Sequence, residues 1–91
     1  MKIDAVKNIL ENFESSVKLC NEPCNSEIYQ VRAEEMIVSE RAAMDALESA
    51  RPENDQEREE LEELEWHFSY IESTYDRVIR QAREETGHED W

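Results

Sequence analysis

One glycine and two prolines among 91 residues leave almost no turn chemistry. Hairpins and glycine-rich phosphate loops draw heavily on glycine, so a β-rich fold and a nucleotide-cradling loop are both excluded. The longest apolar runs are three residues, far short of the ~20 that span a bilayer. Residues 1 to 20 contain no apolar export segment and carry Asp4, Glu11 and Glu14. The expected setting is the cytoplasm, with no membrane contact.

Cysteine is scarce too. Cys20 and Cys24 could complete a four-ligand zinc set only with His67 and His88, which stand 21 residues apart. No metal or other cofactor is therefore expected. Cys20 continues an apolar helical row and reads as a buried thiol. Glu85-x-x-His88 has a di-iron spacing, but Gly87 interrupts its helix. The stretch Asn54-Asp55-Gln56-Glu57 lacks the glycine of a calcium loop. No nucleophile motif is present, and His67 beside Glu63 has no second catalytic partner. The chain reads as a non-enzyme.

Basic residues are the last shortage. Ten Lys and Arg face 24 Asp and Glu, for a net charge of −14. Direct nucleic-acid binding is excluded, and basic protein surfaces become the natural partners.

What remains is helical periodicity. Hydrophobic residues make up 38 % of the chain, too many for simple disorder. Ile3, Val6, Leu10, Phe13, Val17 and Cys20 recur at spacings of three and four, predicting a helix over about 3–20. Pro23 stops it. A second helix is predicted over about 27–50, with Asn25 or Ser26 as its cap. One stripe of that helix is Tyr29, Ala33, Met36, Ala43, Leu47 and Ala50, interrupted by Glu40, which reads either as a polar seam residue that fixes register or, in preference, as a residue at the stripe's edge. A second stripe, Ile28, Val31, Val38, Ala42 and Ala46, implies neighbours on two sides. Arg51-Pro52 ends it. A third helix is predicted over about 55–86, capped by Asn54 with Glu57 and stopped by Gly87. Its row is Leu61, Leu64, Phe68, Ile71, Tyr75, Val78 and Ala82. Arg77, Arg80 and Arg83 fall near its negative end. Residues 87–91 form a tail. The expected fold is all-α, a single small antiparallel three-helix bundle with coiled-coil character and the third helix longest.

The densest chemical signal lies at the start of the third helix. Residues 53 to 65 hold eight carboxylates and one arginine. As helix they span roughly 20 Å, or one acid per about 2.4 Å, against one charge per ~1.7 Å of duplex DNA. Capping a helix takes two or three acids, not eight, and like charges at i,i+4 cost a few tenths of a kcal/mol each. Trp66 and Tyr70, four apart, touch and point away from the apolar row, toward either solvent or the remaining helix of the bundle. Trp, Tyr and Arg dominate interface hot spots, and Arg77 continues the same face. The expected partner-binding residues are Glu57, Glu59, Glu60, Glu62, Glu63, Glu65, Trp66 and Tyr70. The expected partner is a basic, nucleic-acid-handling protein such as a nuclease. In size and charge the chain resembles the small acidic inhibitors that phages direct against restriction and CRISPR nucleases, which implies inhibition by nucleic-acid mimicry. The competing expectation is a self-assembling helical adaptor or structural bundle, a homodimer, motivated by unequal helix lengths and a two-sided second helix.

Overall fold

The structure, a computed structural model, describes residues 3–87. Of the expected tail, Gly87 is described and residues 88–91 lie outside. The described residues are helical throughout, with short connections. They form α1 (Ile3–Cys20), α2 (Ser26–Ser49), α3 (Asp55–Thr74) and α4 (Asp76–Thr86).

The expected three helices are four, because the stretch read as one helix breaks at Tyr75. Its φ of −109° and ψ of 28° leave helical geometry. Ser73, Thr74, Tyr75 and Asp76 are four consecutive weak helix formers, so the break falls where helix propensity is lowest. No loop intervenes. The Tyr75 N–H still donates to the Ile71 carbonyl, and the Ile79 N–H to the Tyr75 carbonyl, both at 2.9 Å. An unbroken helix of that length would run roughly 48 Å and overhang its neighbours. The break instead lays α4 against α2. It also resets the buried face, so that Ile79 is fully buried while Val78 is only partly so.

α1 and α2 pair antiparallel. Ser16 and Ser39 share a hydroxyl hydrogen bond of 3.3 Å, and further along Arg32 donates to the Leu19 carbonyl at 3.1 Å, closing the C-terminus of α1. The caps match the sequence: Asn25 accepts from the Ile28 N–H at 2.9 Å and Asn54 from the Glu57 N–H at 2.8 Å. Arg51 donates to the carbonyls of Glu48 and Ala50 at the end of α2. Gly87 ends α4 at φ 78°, a left-handed conformation that only glycine adopts without strain. Replacing Asn54 with alanine orphans an N–H of the first turn of α3. The expected loss is about 1 kcal/mol, read as a lower urea midpoint with an unchanged slope.

The core gathers Leu10, Phe13, Val17, Ala33, Met36, Ala43, Ile71, Ile79 and Ala82 from all four helices. The row predicted for α1 is buried, Ile3 excepted. The second stripe of α2 is not. Ile28, Val31 and Val38 are exposed, the last to 69 %. α1, α4 and a short stretch of α3 pack on the inner side of α2, and nothing among the described residues covers the outer one.

Glu40 is the largest correction to the helix reading. It does not sit at a stripe edge but is wholly buried, at 0 % exposure. Its carboxylate accepts from Arg83 at 2.6 and 3.3 Å, and Glu72 adds a longer contact to the same guanidinium at 3.5 Å. Arg83 therefore supports the core rather than the helix dipole. A buried carboxylate persists only when paired and hydrogen-bonded. Only the break at Tyr75 brings Arg83 over α2.

Candidate functional site

Residues 55–65 of the acidic segment form the first half of α3 as a regular helix, while Glu53 and the cap Asn54 precede it. Leu61 is buried beneath it and Leu64 packs partly against the core. Most of its side chains therefore face water. Glu59, Glu62, Glu63 and Glu65 are exposed, and none forms an ion pair with a described residue. The one arginine of the segment, Arg58, stands 3.7 Å from Asp55 in a solvated pair. Such a pair contributes little.

Two of the expected binding carboxylates have other work. Glu57 is half-buried, and its side chain accepts from the Glu53 N–H at 2.8 Å while its own N–H is held by Asn54. It belongs to the helix cap. Glu60 is also half-buried and faces α1.

That orientation creates a feature the sequence reading missed. Asp4, Glu11 and Glu14 of α1 stand across from Glu60 and Glu63 of α3. Together they wall a groove of about 460 Å³ floored by Ile3, Leu10 and Leu64, with Lys7 on its rim. The signal was available. Asp4, Lys7, Glu11 and Glu14 recur at spacings of three and four, one residue on from the apolar row, so they flank whatever packs there.

Trp66 and Tyr70 stand on the water-facing side of α3, 71 % and 51 % exposed. Their rings lie 6.0 Å apart and 11° from parallel, an offset stack that holds both in place. His67 joins the two features. Its Nε2 is 3.4 Å from Glu14 of α1, not paired with Glu63 as the sequence spacing suggested, and its ring lies 6.3 Å from Tyr70. Arg77 does not continue this face directly, since it lies on α4 beyond the break.

The zinc and di-iron candidates both include His88, which lies outside the described residues. Cys20 and Cys24 are free thiols, and burial pushes Cys20 up to about 11, leaving it protonated and unreactive. Among the described residues no group of His, Cys, Asp and Glu is arranged to hold a metal ion. No described helix is long and apolar enough to cross a membrane.

Compared with protein-family models, curated proteins and solved structures, the chain matches none.

Proposed function

We propose that the chain is a non-enzymatic binding module that docks the acidic face of α3 onto a basic surface of another protein, one built to hold nucleic acid. The observation that carries this is the pairing of unneutralised carboxylates with an ordered aromatic stack on one rigid helix. Glu59, Glu62, Glu63 and Glu65 supply charge without a competing partner among the described residues. Trp66 and Tyr70 supply apolar area already fixed in position, which lowers the ordering cost of binding. The α1–α3 groove suits a lysine or arginine from the partner: aliphatic floor for the stem, carboxylate walls for the head. Occupying a phosphate-binding surface makes the module an inhibitor of the protein it meets. Cytoplasmic residence belongs to the same reading, since free thiols persist there.

The test is the triple variant Glu59/Glu62/Glu63→Lys. Each reversal moves the charge by two units on exposed positions, so the helix content read by circular dichroism stays unchanged. Capture of basic proteins from lysate, followed by surface-binding kinetics on the recovered partner, is expected to show association slowed about 10–1,000-fold. Duplex DNA should compete for the same partner. Unchanged binding at physiological salt sinks the proposal.

A second reading rests on a different observation, the uncovered row Ile28, Val31 and Val38 on α2, with Leu19 of α1 also exposed. In that reading the row is the seam of a homodimer. Sedimentation at raised salt, which screens the repulsion between two copies of charge −14, decides it. A dimer abolished by Val38→Lys supports assembly, and a monomer at all concentrations removes it.

A further inference from the structure

The break at Tyr75 sits inside a cluster of charges drawn from three helices. Glu40 comes from the middle of α2, Glu72 from α3 just before the break, and Arg83 from α4 just after it. Glu40 is fully buried, Arg83 is one-quarter exposed and Glu72 about one-third. The charges acting on Glu72 are Glu40 from α2 and Arg83 and Asp76 from α4. Asp76 is largely engaged by Arg80 at 3.0 Å.

Charge balance is the difficulty. Two carboxylates share one guanidinium, and Arg83 is spent mainly on Glu40, at 2.6 Å against 3.5 Å for Glu72. With both acids ionised, the cluster holds a surplus negative charge in a partly desolvated site. One proton removes the surplus. A protonated Glu72 can donate to the Glu40 carboxylate, turning repulsion into a hydrogen bond.

We propose that Glu40, Glu72 and Arg83 form a proton-dependent clamp on the α3–α4 joint, closed when the two carboxyls share one proton and loosened when that proton leaves. Closed, the clamp ties all three helices at the joint between α3 and α4. Open, the two carboxylates repel and Glu72 of α3 loses its tie to Glu40 of α2, while Arg83 keeps α4 on Glu40, so the inclination of α3 is no longer set. The inference does not depend on what α3 binds.

The chemistry of the site agrees. Burial, then the hydrogen bond with Glu40, then the Glu40 charge push Glu72 from the ordinary glutamate value of 4.5 up to about 7, with Arg83 opposing. The folded chain then holds this proton more tightly than the unfolded chain. The stability it provides is complete below pH 4.5, falls as pH rises, and is lost above about 7.

Glu72→Gln tests this directly, because the amide keeps the size of the side chain and donates to Glu40 at every pH. Thermal unfolding is followed from pH 5 to 8 for the natural chain, for Glu72→Gln, and for Glu62→Gln, which removes one exposed carboxylate. The midpoint of the natural chain is expected to fall by about 5 °C more than that of Glu72→Gln. Glu62→Gln should follow the natural chain. The His67–Glu14 pair is present in all three and cancels. Parallel curves for the natural chain and Glu72→Gln overturn the clamp, as does equal flattening by Glu62→Gln, which would assign the effect to general repulsion. A carbon-13 titration of the Glu72 carboxyl in the natural chain gives a readout that needs no variant. A midpoint near neutrality is expected, and titration in the ordinary carboxylate range overturns the proposal.

Discussion

Arg83→Ala is expected to cost about 3–5 kcal/mol of folding stability, a large share of the ~5–15 kcal/mol of a typical domain. The loss is that great because of what is left behind. Glu40 has no contact with water, so removing its guanidinium partner strands a carboxylate in the core. The same reasoning gives a control with the opposite outcome. Replacing Glu40 and Arg83 together with methionine removes both charges and fills similar volume, and buried pairs exchanged in this way are often neutral or stabilising. The double variant should recover most of the stability lost by Arg83→Ala. Arg80→Ala, which breaks the exposed pair with Asp76, should change stability by no more than about 1 kcal/mol. Urea unfolding of the four chains reads all three comparisons. If the double variant is as unstable as Arg83→Ala, the stranded charge is not the cause.

Phe13→Ala is expected to be comparably damaging, at about 3–5 kcal/mol. Phe13 has no exposed surface, and its ring centre lies 5.2 Å from that of Phe68, joining α1 to α3. Truncation leaves a cavity at the point where the acidic helix is anchored. Trp66→Ala removes a larger ring four residues or fewer from the same anchor, yet should shift stability by only about 0.5 kcal/mol, because that ring faces water. The two variants separate scaffold from surface. Phe13→Ala lowers the unfolding midpoint, whereas Trp66→Ala leaves it in place and weakens partner binding. A large loss of stability from Trp66→Ala would mean that its ring is buried, and the docking proposal would lose its anchor.

Local signals in the sequence were reliable where one helix face meets one neighbour. The row of α1 is buried apart from its first residue, Cys20 included, because a single amphipathic stripe has only one way to hide. Asn25, Asn54 and Gly87 act where they were read, since caps depend on a few adjacent residues. Trp66 and Tyr70 touch for the same reason, since their relation is fixed by helical spacing, whereas their exposure was settled by packing. Reading failed where the decision was shared between distant elements. Leu61 to Ala82 keeps its period straight through Tyr75, so periodicity hid the break that weak propensity alone suggested. Glu40 looked peripheral because its partners lie 32 and 43 positions further along the chain.

The order of amino acids was enough to establish helices, their caps, the contact between Trp66 and Tyr70 and a dense band of carboxylates. Each follows from spacing within one segment, governed by backbone geometry over a turn or two. The fold alone decided that α4 turns back onto α2, that Glu40 is buried with Arg83 and Glu72, and that two acidic helices wall a common groove. Those outcomes depend on which surfaces exclude water together, a property of the packed chain that no single helix carries.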